Sequence, residues 1–320
     1  MTHPVVAALR ERQERSGGEA AGRDRGSRVA LVVEGGGMRG AVSGGMALGL
    51  DELGLSQAFD AAYGSSAGTL NAMWLVSGRV RDGIPTWTDP RLVAELISRR
   101  RAMARRGPVV DVRRLVEERY EQLSPGLFDA VLAGRTELHP IATDVATAEA
   151  VDLHGAIEDP RSLRLALRAS AALPLLAGPP VALDGRRFID AGLSAAIPFR
   201  AALADGATHV LVLRSRRAGE TVTAPGRVSE ALTGRALRRV SPALESAFRT
   251  RVEREGVDED LLARHDGDPE LTPAILSIRP APGSASPSRL ERDMDVIRAG
   301  LEAGRAAAHA ALGQLPKSVV

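Results

Sequence analysis

Phe59-Asp60-Ala61-Ala62-Tyr63-Gly64-Ser65-Ser66-Ala67-Gly68-Thr69-Leu70-Asn71-Ala72-Met73-Trp74-Leu75-Val76 holds two periodicities that meet at a glycine-bracketed turn. The run Phe59 to Tyr63 is apolar in the manner of a buried strand. From Leu70 onward, Leu70, Met73, Trp74 and Val76 recur at helical intervals. Between them stands Gly64-Ser65-Ser66-Ala67-Gly68, a G-x-S-x-G pattern. A strand that turns sharply into a helix at this pattern holds its central serine clear of the sheet. Gly64 and Gly68 allow the tight backbone and close packing. Ser66 is therefore the candidate nucleophile, and Ser65 fills the variable position. Unpaired N–H groups at the start of the following helix favour negative charge developing beside Ser66.

Working upstream, Val29-Ala30-Leu31-Val32-Val33 is a continuous apolar, β-branched run, the mark of a strand covered on both faces. It ends in Glu34-Gly35-Gly36-Gly37-Met38-Arg39-Gly40 and passes into a small-residue helix through Met46, Leu48 and Leu50. The chain thus opens with two βα units in succession. The glycine loop supports two functional readings. Gly35, Gly37 and Gly40 match the dinucleotide pattern, with Asp60 as the ribose acid. Glu34 would, however, repel a pyrophosphate, and Asp60 opens an apolar run where the ribose acid should close one. The second reading is an oxyanion hole, in which consecutive glycines present bare N–H groups to a tetrahedral intermediate. Placed one βα unit before the serine turn, the loop favours acyl transfer. No G-K-[ST] follows it, which excludes a P-loop.

The composition narrows the function classes. The chain has 320 residues, 44% hydrophobic and 26% charged, with a net charge of +2, which fits a globular protein. Aromatics make up only 3%, too few for a nucleic-acid stacking surface. Cysteine is absent, so disulfides, thiolate nucleophiles and zinc–thiolate centres are excluded together. No apolar run approaches the roughly 20 residues that span a bilayer. The N-terminus lacks a signal-peptide pattern, so a cytoplasmic location is expected. Residues 1–27, rich in Arg, Glu, Gly and Ser, read as a flexible arm. A single catalytic domain is expected over 28–315, with no internal repeat.

Downstream, Leu92, Val93, Leu96, Ile97 and Met103 predict one helix over 90–106 that ends in Arg99, Arg100, Arg101, Arg105 and Arg106. That basic end suits the helix dipole, and it also suits a peripheral contact with anionic headgroups. Leu138 to Val145 and Ala150 to Leu153 read as a strand pair, and Ser162 to Ala172 as a helix stopped by Pro174. Short strands follow at Val181 to Leu183 and Phe188-Ile189, and Asp190-Ala191-Gly192 sets a carboxylate at a strand end beside a small-residue turn. His209 to Leu213 and Ala274 to Ile278 are the late strands. The segment 215–228 between them reads as a polar loop. A stripe from Leu290 to Leu312 predicts a C-terminal helix packed on the sheet.

Taken together, the glycine loop, the serine turn and Asp190-Ala191-Gly192 resemble the patatin-like phospholipases in order and separation. The likeness covers residues 29–200. It implies a three-layer α/β/α fold and hydrolysis of lipid acyl esters, with phospholipid or another acyl ester as substrate. It also implies a Ser66–Asp190 dyad, with no metal and no cofactor. In that reading Ser66 attacks, Asp190 accepts its proton, and Gly36, Gly37 and Arg39 form the oxyanion hole. The family's middle glycine in the acidic motif is replaced by Ala191, whose methyl fits only if its φ is negative. A Ser–His–Asp triad through His209 or His265 is the enzymatic alternative. A nucleotide-binding module is the alternative of another class.

Overall fold

The computed structural model describes residues 2–16, 26–220 and 226–313. Its frame is an eight-stranded sheet. The strands are β1 (Val29–Val33), β2 (Ala61–Ser65), β3 (Glu137–Asp144), β4 (Ala150–Asp152), β5 (Val181–Leu183), β6 (Arg186–Asp190), β7 (His209–Leu213) and β8 (Ala274–Ile278). Their order is β5-β6-β3-β2-β1-β7-β8, with β4 paired to β3. The strands β3, β2, β1, β7 and β8 run parallel, whereas β6 and β4 are antiparallel to β3. The fully apolar β1 is central and buried on both faces, as parallel strands must be.

Helices cover both faces. The principal ones are α1 (Pro4–Ser16), α2 (Gly40–Glu52), α3 (Ala67–Val76), α4 (Pro90–Leu96), α5 (Arg99–Met103), α6 (Pro160–Ser170), α7 (Phe199–Ala204), α8 (Arg227–Val240), α9 (Pro242–Gly267) and α10 (Met294–Leu312). Alternate residues of β1 serve opposite layers. Val29, Leu31 and Val33 join the core built with α2 and α3, while Ala30 and Val32 join Phe199 of α7 and Leu262 of α9. The expected three-layer α/β/α architecture is what the chain adopts.

Four local expectations are corrected. The N-terminal segment is not a loose arm: Pro4–Ser16 is helical, and Val5 and Leu9 are wholly buried in the main core. Gln13 also donates to the Leu53 carbonyl at 2.6 Å, and Arg12 pairs with Asp60 at 2.7 Å. Residues 17–25 lie outside those described. The predicted helix over 90–106 is two helices, because Ile97 leaves the helix to bridge Val110. The C-terminal helix α10 lies chiefly on α2 rather than on the sheet. Glycines make that possible: a Cβ added at Gly304 would lie 1.9 Å from the Val42 carbonyl oxygen, and one at Gly45 1.9 Å from that of Leu301. Finally, the supposed polar loop from residue 215 opens with Ser215 and Arg216 buried.

Candidate active site

The strand order reverses its direction of growth at β1, whose neighbours are β2 on one side and β7 on the other. Ligands in open α/β sheets bind beyond the carboxyl ends of the strands at such a switch point. The glycine loop leaves β1 there. The β1–β2 register pairs Val33 with Gly64, so Glu34-Gly35 comes to lie beside Ser65-Ser66. A Cβ at Gly35 would sit 2.8 Å from the Ser65 carbonyl and 3.2 Å from the Ser66 Cβ. The two glycine-bearing turns therefore share one pocket because the sheet register aligns them.

Ser66 occupies the tip of the strand–helix turn with φ 54° and ψ −125°. A side chain in this region is strained, and such strain persists only where surrounding packing enforces it. That packing is visible at the flanking glycines. A Cβ at Gly64 would meet the Thr69 Cα at 2.3 Å, and one at Gly68 would meet the Val33 carbonyl oxygen at 2.3 Å. The Ser66 N–H donates to Ser170 Oγ at 3.1 Å, and Ser170 Oγ lies 2.7 Å from Thr69 Oγ1. No sequence motif marks Ser170. Its signal is present nonetheless: it is the polar residue of the buried face Leu163, Ala166, Leu167, Ser170 on α6.

Asp190 ends β6, which pairs antiparallel with β3. Ser66 Oγ donates to Asp190 Oδ2 at 2.6 Å, across 124 residues of sequence. The other carboxylate oxygen accepts the Gly192 N–H at 2.8 Å. Burial raises the Asp190 carboxyl from its ordinary 3.8 to about 6, against the opposing pull of Ser66, Gly192 and the Arg289 charge. Ala191 keeps a negative φ, so its methyl is accommodated, and it is fully buried. The constrained position is the third: a Cβ at Gly192 would press on Asp190 Oδ1 at 2.9 Å.

Within the glycine loop, Gly35 N–H donates to the Ala196 carbonyl and Met38 N–H to that of Arg289. The N–H groups of Gly36 and Gly37 have no hydrogen-bond partner among the described residues. Both glycines line a cleft of about 260 Å3 with Ser66, Asp190 and Arg39. Gly40 packs instead under Ala67 and Trp87. The Arg39 guanidinium is buried and sits 3.3 Å from Glu220.

Glu34 does not repel an anionic ligand from an open loop, because it is neutralised within the protein. Its carboxylate accepts from Arg214 Nε at 2.9 Å, the Ser215 N–H at 2.8 Å and Arg216 Nη1 at 3.3 Å. Burial opposes its ionisation, but the Arg214, Arg216 and Arg39 charges outweigh that cost and hold it at about 2. Arg214 also pairs with Glu259, and Arg216 with Glu255. This network anchors the glycine loop to α9.

Two cavities meet at Ser66. A narrow apolar slot of about 100 Å3 runs past Leu70, Leu92, Leu96, Ile97, Val110 and Leu115. The cleft on the other side is lined by Arg216, Arg251, Arg289, Leu237 and Phe248. Neither is lined by a histidine among the described residues. His209 opens β7 opposite Val29, at the far end of the strands from Ser66, and His265 is buried on α9. Asp60, the acid required by a nucleotide-binding reading, likewise lies at that far end. It caps the Val29 N–H at 2.8 Å.

Comparison with known proteins bears directly on this arrangement. The family model for patatin-like phospholipases matches residues 31–203, more than half of the chain. The chain belongs to the patatin-like phospholipase family. Membership in this family of lipid acyl hydrolases covers the strand–loop–helix units that carry Gly36, Ser66 and Asp190. The chain is also 30% identical over 205 residues to Uncharacterized protein YjjU of Escherichia coli (strain K12). That similarity takes in 59% of this chain, which spans about half (52%) of that relative's length. Among the described residues, no helix is long and apolar enough to cross a membrane.

Proposed function

We propose that this patatin-like protein is a serine hydrolase of lipid acyl esters, working through a Ser66–Asp190 dyad and an acyl-enzyme. The observation that carries the reading is the 2.6 Å hydrogen bond from Ser66 Oγ to a buried Asp190 carboxylate, next to the Gly36 and Gly37 amides, which have no hydrogen-bond partner among the described residues. Ser66 Oγ attacks the ester carbonyl carbon as its proton passes to Asp190. The carbonyl oxygen, now negative, is held by the Gly36 and Gly37 N–H groups, with the Arg39 charge behind them. Collapse of the intermediate expels the alcohol, which takes the proton from Asp190, and leaves acyl-Ser66. Asp190 then deprotonates a water that attacks the acyl carbonyl, and the released serine recovers a proton. No metal or cofactor enters this scheme.

A carboxylate is an intrinsically weak base for a serine hydroxyl, and efficiency improves as its pKa approaches the working pH. The upward shift of Asp190 acts in that direction. Each oxyanion donor is worth roughly 3 kcal/mol in a pocket that excludes water. The apolar slot suits an acyl chain, and the arginine-lined cleft suits the leaving group. The test is hydrolysis of a p-nitrophenyl acyl ester. Ser66→Ala and Asp190→Asn should each reduce kcat by about 10³-fold or more, while His209→Ala and His265→Ala remain close to wild type. A histidine variant that loses turnover while Asp190→Asn keeps it would replace the dyad by a triad.

A further inference from the structure

Between Ile97 and Val110 the chain makes an excursion from the rim of the apolar slot. Ile97 bridges Val110, Ser98 N–H donates to the Val109 carbonyl at 2.8 Å, and Asp111 N–H to that of Leu96 at 2.9 Å. Residues 98–110 contain five arginines and no carboxylate, in a chain whose basic and acidic residues nearly balance overall at 42 to 40. Arg101 is turned inward and knits the base of the excursion. Its guanidinium donates to the carbonyls of Glu95, Leu96 and Pro108 at 2.8, 2.8 and 2.9 Å. Arg99, Arg100, Arg105 and Arg106 are exposed, and none has a carboxylate within 4 Å among the described residues.

Apolar side chains project among these charges. Met103 is 83% exposed, and Leu175 is 51% exposed. Leu175 adjoins Leu176, whose carbonyl accepts the Val110 N–H at 2.9 Å, so it belongs to the same rim. On the cleft side, α8 repeats the pattern. It contributes Leu237 to the cleft while Leu232, Arg235 and Arg239 are exposed. A face of unpaired arginines around protruding apolar residues, at the mouth of an apolar slot, matches the layered chemistry of a bilayer surface, with anionic headgroups outside and acyl chains beneath.

We propose that the Arg99–Arg106 excursion is a docking surface for anionic membranes, which sets the slot beside Ser66 against the lipid. The inference extends the proposed lipid ester hydrolysis to the physical state of the substrate: it would be drawn from a charged bilayer rather than from solution. Met103 and Leu175 enter the interface while the four arginines pair with headgroup phosphates.

The experiment uses the full chain carrying Ser66→Ala, so that no hydrolysis disturbs the vesicles. It measures co-sedimentation with phosphatidylcholine vesicles with and without phosphatidylglycerol, over a salt series. Binding is expected only to the anionic vesicles and should weaken as salt rises. Each arginine near an anionic leaflet strengthens binding roughly fivefold. Changing all four exposed arginines to Glu should therefore weaken it at least about a hundredfold, whereas changing all four to Lys should preserve it. Met103→Ser, which leaves the charge intact, should also weaken binding and guards against misfolding of the quadruple variant. On the Ser66 background, the same arginine variants should keep wild-type turnover of a soluble short-chain ester. Failure of the docking idea is thus separable from failure of the chemistry. Equal binding to both vesicle types, or undiminished binding by the Glu variant, overturns the proposal. So does light scattering that shows the excursion holding two copies of the chain together in place of lipid.

Discussion

Asp190 is the residue on which pH should act. Its carboxyl is lifted to about 6 by burial, so the basic form that the proposed dyad requires accumulates only as pH rises through that value. The kcat/KM of a soluble ester should therefore climb with an apparent midpoint near 6. A profile already flat at pH 5 would remove Asp190 as the base. The same shift has a stability consequence of defined sign. The folded chain holds this proton more tightly than the unfolded chain, so the contribution is present below about 4 and is lost as pH rises through about 6. At pH 8 Asp190→Asn should thus be more stable than wild type, by about 3 kcal/mol, although the proposed dyad makes it inactive. At pH 4 the two should converge. Urea denaturation at both pH values measures it.

At the scale of elements, the turns and helix contacts depend on where a methyl group can be placed. Gly68→Ala would drive a Cβ to within 2.3 Å of the Val33 carbonyl oxygen, so β1 and α3 must separate. Destabilisation of about 3 kcal/mol or more is expected, with loss of activity. Ala191→Gly is the contrasting case. Because φ is already negative, the family-like glycine should change stability by less than about 1 kcal/mol and leave activity intact. Gly304→Ala tests the α2–α10 contact: with 1.9 Å to the Val42 carbonyl oxygen, it should lower the Tm by several degrees. A Tm within a degree of wild type would show that α10 can shift at little cost.

Across the whole molecule, the network of buried Glu34, Arg214, Arg216 and Glu255 with the half-buried Glu259 joins β1, the segment after β7 and α9 behind the glycine loop. Such a network adds little over an apolar core, but breaking one member leaves charge buried and uncompensated. Glu34→Ala should cost about 3–5 kcal/mol, read by denaturant unfolding, and should weaken ester turnover because the glycine loop loses its anchor. A cost below about 1 kcal/mol would mean that Arg214 finds water.

The βα units, and Ser66, the glycine loop and Asp190 as candidates, were legible in the residues themselves. A buried strand, a glycine-bracketed turn and a helix each follow from local sterics and periodicity, which act over a few neighbours. Elements whose stability comes from distant partners were not. The helix Pro4–Ser16 carries only a short apolar stripe and is held by burial of Val5 and Leu9. Arg216 reads as part of a polar loop until Glu34, 182 residues away, neutralises it. The 2.6 Å approach of Ser66 to Asp190, and the upward shift of that carboxyl, exist only because β3 pairs with β2 on one side and β6 on the other. Local sequence could name those two side chains, but their distance and shared burial are products of the folded sheet.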